Sequence, residues 1–257
     1  MSSGNWGDLR TRVLSAIVML GIGAGAIATG GLAYVALITL AVAGMNWELT
    51  RMIVPGRGWL SIVVGAASAA VLIASVFAAP RPLIEFAIIP GLIGALFATK
   101  DRVIFGVYAS LVVISGLGLL MLYDAQGIFL VIWLICVVVA TDVAGYFAGK
   151  AIGGKKFWPS ISPKKTWAGI LAGWAAAAVV GGLMGGEELA AISVFMSLAS
   201  QLGDIAESAM KRRWGVKDSS NLIPGHGGLL DRFDGLIAAN LVVLIALLTL
   251  GLQGQSG

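Results

Sequence analysis

The chain holds a single cysteine, Cys136, and a single histidine, His226, in 257 residues. A lone cysteine excludes a disulfide framework and a thiolate metal centre, and one histidine leaves no imidazole cluster for zinc. Cys136 reads as a small core residue of the apolar stretch around it. Charge is equally scarce: 12% of residues are Asp, Glu, Lys or Arg against 58% apolar ones, and the mean hydropathy is +0.95. That balance excludes an ordinary soluble domain and points to a membrane protein. The net charge of +4 is spread over short connections, so no nucleic-acid partner is expected. Thirty-six glycines lie mostly inside apolar runs, where they suit close helix packing better than flexible linkers.

Apolar runs of the length a bilayer core needs fall at 13–29, 32–50, 59–79, 83–98, 103–123, 125–147, 167–185, 189–209 and 236–252. The apolar character resumes directly after Gly30-Gly31, so Arg10 and Arg12 flank a span and do not open a signal peptide. With the N-terminus inside, 16 of the 17 Lys and Arg fall on one side and only Arg81 on the other. One missed span would invert every later loop, so the bias supports the count. The expected fold is an all-α polytopic bundle of about nine transmembrane helices, N-in and C-out. Residues 1–123 would supply five spans, and 124–257 a catalytic region with two long cytoplasmic connections, about 148–166 and 210–235. Glycine pairs four residues apart, Gly21 with Gly25, Gly145 with Gly149 and Gly181 with Gly185, are expected to pack the chain's own helices, with a dimer face as the alternative.

Carboxylates in or beside membrane helices are costly and mark function by default. Asp142, Asp204, Glu207, Asp231 and Asp234 all lie near the inner ends of the last four spans. Asp204, Glu207, Ser208 and Lys211 follow helical spacing, so one face presents two acids, a hydroxyl and a base; Asp231 and Asp234 would share a face if helical. The bland alternative is mutual neutralisation in Asp–Arg and Glu–Lys pairs. Hard oxygen donors select magnesium over zinc, and the surrounding bases suit phosphate, the combination that phosphoryl and nucleotidyl transfer needs. Gly149 to Lys156 has the glycine spacing of a phosphate loop, but Lys156 stands where Ser or Thr is required and a membrane helix precedes it, so that fold is rejected. Pro224-Gly225-His226-Gly227-Gly228 combines permissive backbone with bare amides, which suits an anion, and His226 there reads as a triphosphate contact.

The run from Ser208 through Lys211, Arg212, Lys217 and Pro-Gly-His-Gly-Gly to Leu-Leu-Asp-Arg-Phe-Asp234 resembles the signature of the phosphatidate cytidylyltransferase family. Asp142-Val-Ala-Gly-Tyr-Phe-Ala-Gly, Ser162-Pro-Lys-Lys-Thr-Trp-Ala-Gly and Gly203-Asp-Ile-Ala-Glu-Ser resemble its other segments, so the likeness covers about 142–235. One departure is Ala168, where the family commonly has glutamate.

The resemblance implies an integral enzyme of the bacterial inner membrane, facing the cytoplasm and working as a homodimer. In it a phosphatidate oxygen attacks the α-phosphorus of CTP, giving CDP-diacylglycerol and pyrophosphate, with magnesium and optionally a second, monovalent cation. Carried over residue by residue, it makes Asp204 and Asp231 the first metal ligands, with Asp234 and Asp142 behind them. Lys211 and His226 join Asp204, Asp231 and Asp234 in the catalytic set. Lys164, Lys165, Ser208, Arg212, Lys217, Gly225, Gly227, Gly228 and Arg232 would hold the substrates. Two rivals fare worse. A transporter would spread its acids through membrane depth, and a CDP-alcohol phosphatidyltransferase needs acids that do not follow Asp234-Gly235.

Overall fold

In the computed structural model, residues 4–78 and 83–250 are described; Arg81 and residues 251–257 lie outside them. Helices dominate, because long apolar runs in lipid must satisfy their backbone groups internally. In order they are α1 (Gly4–Thr29), α2 (Gly31–Ile53), α3 (Gly58–Phe77), a short 3₁₀ turn leading into α4 (Ile88–Phe97), α5 (Arg102–Gln126) and α6 (Ile128–Ala151). A hairpin of β1 (Lys156–Trp158) and β2 (Ser162–Thr166) follows, then α7 (Trp167–Arg213) and α8 (Leu230–Leu250). Seven helices among the described residues are long and apolar enough to cross a membrane; the segment Ile84–Phe97 is apolar but shorter. The protein is thus a multi-pass α-helical membrane protein.

The 47 residues of α7 would span about 70 Å if straight, more than twice a bilayer core of about 30 Å. The helix instead breaks at Gly185-Gly186, where Gly186 takes φ +72°, a backbone that other residues rarely adopt. Its two arms, 167–184 and 187–213, fold back on each other: Gly181 packs against Leu189 and Ser193, and Trp174 Nε1 donates to Gln201 Oε1 at 3.0 Å. The turn between α1 and α2 works similarly, with Gly30 at φ +63° and Gly31 at φ +51°.

The chain forms two compact units. One comprises Met1–Leu117 and Trp214–Phe233. Its core buries Tyr34, Leu49, Leu60, Leu72 and Phe105, and Gly65 brings α3 against the Ala43 carbonyl of α2. The other comprises Gly118–Arg213 and Asp234–Gly257. It buries Trp133, Leu134, Val137 and Met196, and joins α6 to α7 through Trp133 Nε1 to Ser193 Oγ (3.0 Å) and Thr141 Oγ1 to Ser197 Oγ (2.9 Å). Small side chains and buried hydroxyls are the usual means by which helices adhere in lipid, where burial of apolar surface gives little drive.

Cys136 is exposed on the outer face of α6 and is not the core residue expected from its surroundings; in an apolar bundle the lipid-facing side is as hydrophobic as the interior, so composition does not separate them. The connection after α6 holds a two-stranded hairpin inside an otherwise helical fold. Of the glycine pairs, Gly145 and Gly149 meet Gly169 and Thr166, and Gly181 and Gly185 meet Leu189, so both pack the chain's own helices; a Cβ on Gly21 or Gly25 would meet nothing.

Gly181 and its neighbour provide an internal control for this packing. A Cβ at Gly181 would overlap Ser193 and the Leu189 carbonyl, whereas one at Gly182 would lie 3.8 Å from the Ala190 Cβ. Gly181→Ala should lower the melting temperature in detergent, with overpacking of about 1–3 kcal/mol outweighing the helix-propensity gain. Gly182→Ala should raise it or leave it unchanged, and equal effects at the two positions would contradict the hairpin.

Candidate active site

In the second unit the polar residues gather around a cavity of about 430 Å³ between α6, β2 and both arms of α7. Three glycines make it possible. A Cβ on Gly169 would stand 2.6 Å from the Gly145 carbonyl, and one on Gly149 would stand 3.1 Å from Thr166 Oγ1, so α6 and the first arm of α7 touch backbone to backbone. Thr166 ends β2 and caps α7, its Oγ1 accepting from Gly169 N at 3.2 Å. Ala168, in the same first turn, removes nothing from that cap.

Lys164 and Lys165 precede the cap on β2 and both line the cavity. Lys165 Nζ lies 2.5 Å from Asp204 Oδ2 and donates to the Gln201 carbonyl at 3.1 Å. Gln201 is itself held by Trp174 and by the Ile170 carbonyl, so the lysine is presented by a buried, hydrogen-bonded residue. Asp142, from α6, lines the same cavity as Asp204. Asp204 also accepts from Ser208 Oγ at 3.4 Å. Asp234 is brought in by close helix packing: a Cβ on Gly203 would lie 2.7 Å from the Asp234 carbonyl, and one on Gly235 would lie 2.6 Å from Ser200 Oγ. Asp234 Oδ1 accepts from Gly235 N at 2.7 Å, and its carboxyl stands beside Glu207.

The two acids at helical spacing thus have different surroundings. Asp204 is 43% exposed and faces Lys165, whereas Glu207 is 1% exposed and pairs with Lys211 at 2.8 Å. Arg212 Nε donates to the Ile161 carbonyl at 2.7 Å, tying the end of α7 to the hairpin turn.

The remaining sequence candidates belong to the first unit, on the connection into α8. Asp231 Oδ2 accepts from Ser219 N at 2.8 Å, Ser219 Oγ at 2.9 Å and Gly228 N at 2.8 Å. A Cβ on Gly227, at φ +84°, would lie 2.7 Å from the same oxygen. The glycines of Pro-Gly-His-Gly-Gly thus make room for a carboxylate, and the Gly228 amide is already donating to one. Gly225, at φ +76°, faces Arg12 of α1, and Ser15 Oγ donates to the Pro224 carbonyl at 2.8 Å. His226 stays in place through its backbone, its N–H donating to Ile223 O at 2.9 Å and its carbonyl accepting from Arg232 Nε at 3.0 Å. His226 Nδ1 is buried with no hydrogen-bond partner. Lys217 and Arg232 are exposed.

Sequence reasoning missed Glu48. It sits in α2, fully buried, and receives the hydroxyls of Ser219 and Ser220 and the amides of Leu229 and Leu230. Its signal was there to find: an ionisable residue inside an apolar span.

These helices form a multi-pass membrane protein with a cavity lined by acids and lysines. The sequence pattern of the cytidylyltransferase family matches residues 10–250. The chain is 50% identical over 121 residues to a phosphatidate cytidylyltransferase of Brucella suis, a stretch covering 44% of each protein. It is 41% identical over 125 residues to one of Bacillus subtilis, covering 44% of this chain and 45% of the relative. It is 34% identical over 265 residues to one of Pseudomonas aeruginosa, covering 90% of this chain and 94% of the relative. The chain belongs to the cytidylyltransferase family.

The Glu207–Lys211 pair yields a stability test. Breaking a buried pair leaves an uncompensated charge and costs about 3–5 kcal/mol, whereas an apolar or neutral replacement of both partners is often harmless. Lys211→Ala should therefore lower the melting temperature sharply, and Glu207→Gln combined with Lys211→Met should recover most of the loss. An unchanged melting temperature in Lys211→Ala would show that the pair does not hold the helix end.

Proposed function

We propose that the protein transfers the cytidylyl group of CTP to phosphatidate, forming CDP-diacylglycerol and releasing pyrophosphate for phospholipid synthesis. The observation that carries this reading is the cavity that sets Lys164 and Lys165 against Asp142 and Asp204, in a chain of the cytidylyltransferase family. A phosphate oxygen of phosphatidate forms the new bond to the α-phosphorus of CTP as the bond to the β-phosphate oxygen breaks. That nucleophile is already ionised near neutral pH, so no protein base is needed.

Magnesium fits the residues present. Among the described residues no three acids, histidines or cysteines converge as a self-sufficient metal cage. Magnesium, however, is ordinarily held by one or two carboxylates together with substrate phosphates, and Asp142 and Asp204 line one cavity with Lys150, Lys164 and Lys165 and with no histidine or cysteine. We assign these two as its ligands, with the neighbouring Asp234 behind them and a monovalent cation as an optional companion. When bound, magnesium would supply neutralisation of the phosphate oxygens. Lys165, fixed between Asp204 and Gln201, keeps a positive charge at the cavity; Lys164 adds a second, and Ser208 and Arg212 border the substrates. In the other unit Asp231 is a further metal candidate, and Lys217, His226, Arg232 and the amides of Gly225 to Gly228 are the phosphate-binding candidates, with the partnerless His226 Nδ1 as the support.

The proposed setting is the bacterial inner membrane, with the site toward the cytoplasm and the chain as a homodimer. Counting the arms of α7 separately and adding Ile84–Phe97 to the long helices agrees with nine crossings, which with the basic bias supports N-in and C-out. A reporter fused after Gly257 should then read periplasmic; a cytoplasmic reading in an active protein would overturn the nine-crossing topology.

Turnover of radiolabelled CTP by purified protein with phosphatidate, across a magnesium titration, tests the reaction. Asp204→Asn should lower formation of CDP-diacylglycerol by about a hundredfold or more at an unchanged melting temperature. For Asp231→Asn the same pattern supports a metal role. A fall in melting temperature with near-normal turnover per folded molecule would leave Asp231 only as the fastener of its loop. Absence of CTP turnover in the wild-type protein would overturn the proposed reaction.

A further inference from the structure

Glu48 has no exposed surface, yet it is an acid in the middle of the unit's packing, and its four hydrogen bonds run to one distant segment. Oε1 accepts from Ser220 Oγ at 2.6 Å and Leu229 N at 2.9 Å; Oε2 accepts from Leu230 N at 2.8 Å and Ser219 Oγ at 3.1 Å. Ser219 and Ser220 open the loop that Leu229 and Leu230 close, so a single carboxylate clasps both ends. At its closing end Glu48 also does what a helix cap does, accepting two N–H groups at the start of α8, where the positive end of the helix favours an anion. Gly228 belongs to this seat: a Cβ there would lie 2.6 Å from both Glu48 oxygens and would overlap Ser219 Oγ. Ser219 Oγ stands between Glu48 and Asp231, within hydrogen-bond distance of each, and its single proton is donated to one carboxylate at a time.

We propose that Glu48 is a positioning residue: from the N-terminal half of the chain it sets the 219–230 loop that presents His226, with Lys217 and Arg232 at its two ends. Its complete burial prevents it from touching substrate, so it acts only through that loop. The charge form matters. Each Glu48 oxygen accepts one backbone N–H, so a glutamine amide, whichever way it turns, points an NH₂ at a donor. The assignment of loop residues to the phosphates of CTP rests on the reaction proposed above; the clasp itself does not.

The test uses the full chain in detergent, as wild type, Glu48→Gln, and Ser220→Ala, which removes one of the four bonds and leaves the carboxylate with the other three. Two readouts are taken: hydrogen–deuterium exchange along the chain and the KM and kcat for CTP. In Glu48→Gln, amides of 219–230 should exchange about tenfold to a hundredfold faster, and KM for CTP should rise by a similar factor, while the other helices stay protected. Ser220→Ala should show the same pattern at smaller amplitude, and it carries the test if Glu48→Gln fails to fold. A purely structural role would instead lower the folded fraction with KM unchanged, and that result, or wild-type exchange at 219–230 in both variants, would overturn the proposal. If wild-type protein does not use CTP, the reaction fails but the exchange arm still decides the clasp.

Discussion

A carboxylate inside an apolar helix bundle must be matched where it stands, because neither water nor lipid will do it, and the polar architecture of this protein follows from how each acid is matched. Glu48 and Asp231 are matched by hydroxyls and backbone amides, and in being matched they hold a loop and the start of α8. Glu207 is matched by Lys211 on its own helix. Asp204 is matched by Lys165 from a different element, beside a cavity that also receives Asp142. At Glu48 the match is buried, with both carboxylate oxygens accepting. The match at Asp204 leaves charge of both signs at an accessible surface.

The glycines serve the same constraint. Helices that carry polar groups can satisfy one another only if their backbones approach closely, and Gly145, Gly169, Gly203 and Gly235 each sit where a Cβ would meet the neighbouring helix. In the Pro-Gly-His-Gly-Gly segment the missing side chains give space to carboxylates: Gly227 to Asp231 and Gly228 to Glu48. A motif that reads from sequence as an anion cradle made of amides is, in the folded chain, also a seat for the protein's own anions.

Much of this architecture is legible in the sequence alone. Long apolar runs give helices with little ambiguity, and acids at the ends of those runs are expensive enough to mark a candidate site; Asp142 and Asp204 stand out in this way and share one cavity with Lys164 and Lys165. The family resemblance, carried by 142–235, is equally plain. What cannot be read is what depends on distant partners. Glu48 pairs with residues more than 170 positions away, and in the sequence it is one acid near the end of an apolar span. Asp204 and Glu207 share a face by spacing, and the Glu207–Lys211 pair follows from it, yet only a tertiary contact gives Asp204 its lysine from a strand. The hairpin carries too few apolar residues to show a strand pattern, and Cys136 shows that lipid-facing and core positions look alike by composition.

If the Asp142 and Asp204 cavity binds a metal-bound cytidine triphosphate, as the proposed reaction requires above all, ligand-induced stabilisation will reveal it without requiring catalysis. Anything that binds the folded protein at about a hundredfold above its Kd stabilises it by about 2.7 kcal/mol. The melting temperature of the wild-type protein in detergent should therefore rise with CTP and magnesium together, rise far less with CTP in chelator or with ATP and magnesium, and not respond in Asp204→Asn. No shift with CTP and magnesium, or an equal shift when magnesium is withheld or Asp204 is neutralised, would contradict the account.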